Sequence, residues 1–105
     1  MKIAVIGTGI AGWVAQHGEP AVIQNARLDP RFSEQVDQSF HFHTHSMICV
    51  PIVSGAKVLG VIQALNKANN DEFNRTDLTL LGVVAQLAAT AMTKAEAAML
   101  TEESA

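Results

Sequence analysis

Residues 47–53 (MICVPIV) and 57–65 (KVLGVIQAL) are aliphatic, β-branched runs joined by Ser54-Gly55-Ala56, and this spacing constrains the fold more than any other feature of the 105-residue chain. A connection this short that contains glycine is of hairpin length, so the two runs pair antiparallel. A parallel pair would need a crossover of roughly a dozen residues or more. Pro51 has no N–H to give to a ladder, so it predicts a bulge or an open edge inside the first run. The expected class is α+β, with helices packed on an antiparallel sheet.

The N-terminus tests that reading. Residues 2–6 (KIAVI) run into Gly7-Thr8-Gly9-Ile10-Ala11-Gly12, the glycine spacing of a dinucleotide-binding turn. Such a site needs a crossover helix, a second parallel strand and an acid about 20 residues further on. Here Gly18 and Pro20 close a short helix over 10–16, residues 21–24 (AVIQ) are already extended, and Asn25 stands where a carboxylate is required. Asp29 is near the right count but precedes Pro30, which favours a turn. The glycines are present without the context that would make them a phosphate cradle.

Residues 26–41 are polar and carry Pro30, so they read as a loop with one helical turn around 33–38. The last third reads as a long helix with Thr76 as N-cap and Asp77 in the first turn, where a carboxylate complements the helix dipole. Leu80, Val84, Leu87 and Ala91 form one apolar stripe, and Leu81, Ala85, Ala88, Met92 and Ala95 form its neighbour. Together they exceed what one sheet contact needs. Either the helix is sandwiched within its own domain, or one stripe faces the sheet and the other a second subunit; the alanines permit close helix approach and favour the latter. Residues 99–105 continue as a polar helical tail.

Composition closes off several classes. The net charge of −3 and the lack of a Lys/Arg stripe exclude a nucleic-acid partner. The single cysteine, Cys49, excludes an internal disulfide and a cysteine zinc site and fits a reducing compartment. No run of about 18 uninterrupted apolar residues marks a membrane span. With 49% apolar residues the chain can build a core, so one soluble cytoplasmic domain over 1–105 is expected, its core about 3–93 and its tail 94–105 directed toward an output domain.

The segments GTGIAGWVAQHGEP, DPRF, SMICVPI and KVLGVIQALNK, in that order, resemble a GAF domain, the small-molecule-sensing module of cyclic-nucleotide phosphodiesterases, adenylate cyclases, sensor kinases and transcriptional activators. The resemblance runs from about Gly7 to Met92 and implies a GAF-like antiparallel sheet, N-terminally shortened, because the family's opening helix and strand have no counterpart ahead of it. An exposed sheet edge is expected where that strand would pair. A phosphodiesterase and cyclase sub-motif, Asn-Lys, Phe, then Asp-Glu, is met by Asn66, Lys67, Phe73 and Asp77, with Leu78 in place of the final Glu. The resemblance implies a salt bridge between Lys67 and Asp77 near the ligand cavity. The same follows from placement, since Lys67 leaves a strand and Asp77 begins a helix, so a pair between them would clamp the intervening loop as a latch.

His41, His43 and His45 alternate, and imidazoles on one strand face are a potential zinc, copper or nickel site. Three in a straight strand span too far for one ion, so an exposed or ligand-facing polar run is the preferred reading. Phe32, Phe40 and Phe42 border the loop and are candidate cavity-lining residues together with His43 and His45. Cys49 sits mid-strand and suits a buried thiol, not a nucleophile. Trp13 reads as core. No catalytic residue and no obligatory cofactor is expected. The first functional reading is a non-catalytic sensor that takes a small molecule, such as a cyclic nucleotide or related metabolite, and relays its binding through the C-terminal helix. The alternatives are a ligand-free homodimerisation module acting through that helix, and a dinucleotide-binding oxidoreductase fragment.

Overall fold

The computed structural model describes residues 9–39 and 43–104; residues 2–6, Gly7, Phe40, His41 and Phe42 lie outside them. One antiparallel sheet has the order β1 (Ala21–Ile23), β2 (Met47–Ser54), β3 (Lys57–Leu65). Helix α1 (Gly9–His17) packs on one face and α3 (Arg75–Ser104) on the other, while a short α2 (Glu34–Ser39) lies in the segment between β1 and β2.

The hairpin forms at the expected place, closed by Ser54 opposite Lys57. Gly55 takes φ +61, the left-handed conformation that primed hairpin turns need and that glycine adopts without strain. The irregularity expected at Pro51 falls one step later. Pro51 stands opposite Val61 in register, and the bulge lies between Ile52 and Val53, which oppose Gly60 and Val58. Leu59 is the extra residue, and it packs with the α3-side core. β1 reaches only from Met47 to Cys49 along β2, so Pro51 lies past its end, where among the described residues the outer edge of β2 has no partner.

Strand alternation divides the core in two. Met47 and Cys49 join Ile10, Val14, Ala21, Ile23 and Ala26 on the α1 side, and Val50 and Ile52 join Ala85 and Ala89 on the α3 side. Fully burying each aliphatic side chain contributes about 1.5–3 kcal/mol. On α1 the buried positions are Ile10, Gly12 and Val14, and Ile10 and Val14 carry the contact with the sheet. Gly9 (φ +70) opens the helix, and Gly18 (φ +68) ends it with its N–H on the Val14 carbonyl at 2.8 Å.

α3 begins two residues earlier than its sequence suggests, and its cap is Asn74, not Thr76. The Asp77 N–H donates to Asn74 Oδ1 at 3.0 Å and the Asn74 N–H donates to Asp77 Oδ2 at 2.8 Å, a reciprocal capping box. Of the two stripes, Leu81, Ala85 and Ala88 meet the sheet, whereas Leu80, Val84 and Leu87 are 61%, 49% and 66% exposed. A helix of 30 residues spans about 45 Å against about 26 Å for β2, so the C-terminal part of α3 outruns the sheet, and Met92 and Ala95 of the inner stripe are exposed. The segment Arg75–Met99 is long and apolar enough by composition to cross a membrane, with mean hydropathy 1.4 over an 18-residue window. Ala85 and Ala89 within it are buried against β2.

Candidate functional site

The polar ties of the molecule converge where β3 ends and α3 begins. Asn66 follows β3 at φ +54, a left-handed position that asparagine tolerates better than other side-chain-bearing residues. Its Oδ1 accepts from the N–H groups of His45 at 2.7 Å and Ser46 at 3.3 Å, its Nδ2 donates to the His43 carbonyl at 3.0 Å, and its own N–H donates to the Ser46 carbonyl at 2.8 Å. One side chain thus fixes the segment that leads into β2. The next residue continues outward: Lys67 Nζ donates to the Glu72 carbonyl at 3.2 Å and to Asp77 Oδ2 at 2.6 Å.

Asp77 Oδ2 therefore holds both the lysine and the first turn of α3. The hydrogen bond from Lys67 is the main cause that holds the Asp77 carboxyl below its ordinary value of 3.8, and the Asn74 N–H adds to it. Between them, Phe73 is buried, and its carbonyl accepts from Gln24 Nε2 at 2.8 Å, which ties the end of β1 to the same junction. Leu78, standing where the resemblance has an acid, packs with the α3-side core.

On the α1 side a second cluster forms along the segment after β1. Arg27 lies 4.9 Å above the Phe32 ring, donates to His43 Nδ1 at 2.9 Å and faces Glu34 at 3.8 Å. Asp29 grips Arg31 through both carboxylate oxygens at 3.0 and 2.8 Å, and Arg31 in turn lies 4.5 Å over Trp13. The Arg31 hydrogen bonds keep Asp29 below its ordinary carboxylate value. Trp13 stacks on His17 at 4.4 Å, so it is half-buried against the core and not wholly within it.

These clusters bring together Asn66, Lys67, Phe73 and Asp77 at one junction, and Phe32 and His43 at another. His45 is exposed. His43 and His45 lie in irregular chain, because β2 begins only at Met47, so they do not alternate on a strand face; His41, Phe40 and Phe42 lie outside the described residues. Among the described residues no group of three metal-ligating side chains gathers. Cys49 is fully buried, and burial pushes its thiol up to about 11, which leaves it inert near neutrality. The residues that sequence reasoning missed are Arg27, Arg31 and Asn25, whose Oδ1 accepts from the Arg27 N–H at 3.1 Å. The available signal was the run Asp29-Pro30-Arg31, an Asx-type turn in which Asp29 Oδ1 accepts the Arg31 N–H at 2.8 Å.

The described concavities lie elsewhere, along α3. A groove of about 480 Å³ is lined by Pro20, Val50, Pro51, Leu78, Gly82 and Ala85, and one of about 570 Å³ continues past Val53 to Thr93 and Lys94.

Comparison with known proteins sets this geometry in a family. The GAF domain family model matches residues 2–92. The chain is 42% identical over 72 residues to the dual 3',5'-cyclic-AMP and -GMP phosphodiesterase 11A of Takifugu rubripes, covering 68% of this chain and 8% of that protein. It is 43% identical over 72 residues to the dual 3',5'-cyclic-AMP and -GMP phosphodiesterase 11 of Drosophila melanogaster, covering 68% of this chain and 5% of that one. The chain thus spans under a tenth of these relatives' length. In fold it is similar to the GAF domain of a phosphoenolpyruvate-protein phosphotransferase from Coxiella burnetii, with TM-score 0.79 and 19% identity over 92% of this chain and 56% of that one. The strand pairs among the described residues are antiparallel, and the GAF family match takes in the glycine motif at 7–12. The family match over residues 2–92, joined to an antiparallel sheet with helices on both faces, means that this chain belongs to the GAF domain family.

Proposed function

We propose that this GAF domain is a non-catalytic sensory module of a cytoplasmic signalling protein, which takes a cyclic nucleotide or related metabolite beside the segment 26–45 and relays the event through α3. GAF domains are in general regulatory, and the similarity to segments of cyclic-nucleotide phosphodiesterases supports this ligand class. The observation that carries the reading is the continuous tie from His43 through Asn66 and Lys67 to Asp77. A ligand that moves the segment before β2 moves Asn66, and the Lys67–Asp77 pair passes that displacement to the first turn of α3. Arg27, lying over Phe32 and bonded to His43, supplies the positive charge that a ring phosphate requires. Phe32, His43 and His45, together with Phe40 and Phe42 outside the described residues, are the proposed lining; Asn66, Lys67, Phe73 and Asp77 are the proposed latch.

The test is a titration of cyclic AMP and cyclic GMP, read as melting temperature and as heat. A true ligand at 100-fold its Kd stabilises the fold by about 2.7 kcal/mol, and Arg27→Ala should remove that gain. No concentration-dependent shift and no heat from either nucleotide would overturn this ligand assignment. A second reading, a ligand-free homodimerisation module, is favoured by one observation: Leu80, Val83, Val84 and Leu87 are all at least half-exposed or nearly so on one helix.

A further inference from the structure

The bond between Arg27 and His43 fixes a protonation state. A guanidinium carries only donors, so Arg27 Nη2, at 2.9 Å, requires a lone pair on His43 Nδ1. In this arrangement the imidazole is neutral, with its one proton on Nε2. Both partners are held from behind. The Ala26 N–H donates to the His45 carbonyl at 2.6 Å and joins the two segments, the Arg27 N–H donates to Asn25 Oδ1, and the guanidinium lies over Phe32. The His43 carbonyl accepts from Asn66 Nδ2, while the residue itself is exposed. Among the described side chains the charge here cancels, because Glu34 stands 3.8 Å from Arg27 Nη1 and is 64% exposed. The charged groups on either side are already committed to each other: Asp29 to Arg31 at 2.8 Å, and Lys67 to Asp77 at 2.6 Å in the junction that Asn66 ties to His43. His45, two residues along the same segment, is the other titratable side chain described beside it.

We propose that Arg27 and His43 form a phosphate clamp that a proton completes: a singly charged phosphodiester takes the Arg27 guanidinium, and His43 gains one proton from water at Nδ1 and becomes the second cationic donor. The proposal rests on the cyclic-nucleotide reading for its ligand and adds that binding consumes a proton. Two features of the pair lead to it. An anion at Arg27 takes the Nη2 donor that His43 Nδ1 now accepts, so the nitrogen is left with a lone pair and no donor. The same anion brings a negative charge to a place where Glu34 already offsets Arg27, and an adjacent negative charge favours the protonated ring. A phosphodiester has no proton of its own to give or take near neutrality, so any proton taken up on binding belongs to the protein. Because the clamp is neutral at His43 before binding and charged after it, affinity rises as the pH falls, until the ring is already protonated without ligand. Imidazole makes that change near neutrality, which places the effect in the physiological range.

Calorimetric titration of cyclic AMP and cyclic GMP into the whole chain tests this, run between about pH 6 and pH 8 in two buffers of different ionisation enthalpy, so that affinity and protons are both read. The expected result is uptake of about half a proton or more per nucleotide on the alkaline side of neutrality, and binding about tenfold tighter at the acid end of the range than at the alkaline end. His43→Asn sets an amide oxygen near the place of Nδ1, which keeps an acceptor for Arg27 and removes the titrating group. That variant should take up no proton, and at the acid end it should bind only as tightly as the unsubstituted chain does at the alkaline end. His17→Asn, outside the proposed lining, should keep both the uptake and the pH dependence. Binding that is equally tight across the range with no proton taken up would overturn the proposal alone and leave the ligand reading standing. Uptake that survives His43→Asn would also overturn it, by assigning the proton to another group such as His45. Neither heat nor a melting shift from either nucleotide at any pH would overturn the proposal together with the ligand reading.

Discussion

On the α1 side of the sheet, seven buried side chains are backed by directed polar ties: Asn66 to the 43–46 segment, Asp29 to Arg31, and Arg31 to Trp13. On the α3 side, two alanines meet two strand residues, half-buried leucines fill in around them, and residues 90–99 of the helix are exposed. Charge-assisted and backbone hydrogen bonds demand defined distances and angles, so the first side has one arrangement of its parts. Small apolar contacts impose little registry, so beyond the first turn, which the Lys67–Asp77 pair fixes, the second side tolerates a shift or a new neighbour. A sensory domain needs both: a face with defined geometry to discriminate, and a face loose enough to move.

The largest expected effect contrasts the two sides directly. Ile10→Ala, at a residue 3% exposed on the α1 side, should cost about 3 kcal/mol in urea unfolding, whereas Leu87→Ala, 66% exposed on α3, should stay within about 0.5 kcal/mol. Equal losses would break the contrast. Next comes Asn66→Ala, which removes the side-chain bonds to the 43–46 segment and sets alanine at φ +54; a loss of about 2 kcal/mol is expected. Asn66→Gly, which relieves the backbone but not the lost bonds, should cost less, and if the two variants match, the hydrogen bonds carry the whole effect.

A smaller effect appears in acid. The folded-state values of Asp29 and Asp77 are depressed, so their contribution to stability is present above the ordinary value of 3.8 and is lost as the pH falls through the lower folded values. Melting temperature should therefore drop from about pH 4 downward, and Asp77→Asn should flatten that limb while lowering stability at pH 7. Both side chains are partly exposed, which keeps the size modest. Smallest is Gly82→Ala. A Cβ there meets nothing within 4 Å, so the helix should gain about 0.5–1 kcal/mol, and a loss instead would show that the groove beside it closes in solution.

How much of this was legible in the sequence depended on range. The hairpin was readable because Gly55 and the two β-branched runs act over a few residues. The helix start was misplaced by two positions because Asn74, Thr76 and Asp77 are all able caps, and only the reciprocal bonds select Asn74. The role of Asn66 was hidden for a stronger reason: its partners lie 20 or more residues away, and its left-handed φ leaves no mark on composition. Placing His43 and His45 on one strand face missed a boundary, since alternation has meaning only inside a strand and β2 starts after His45. Which stripe of α3 would face the sheet was not decidable from periodicity, because both are apolar and only the sheet's position chooses.

Trp13 is the chain's one tryptophan, held between a guanidinium and an imidazole on the face where recognition is proposed. Its ultraviolet emission is therefore a built-in optical gauge for that face alone. An event that disturbs Arg31 or the end of α1 should change its colour or brightness, while contact between copies on the far side should leave it dark to the change. A single cuvette measurement thus separates a domain that has met its small molecule from one that has met only itself.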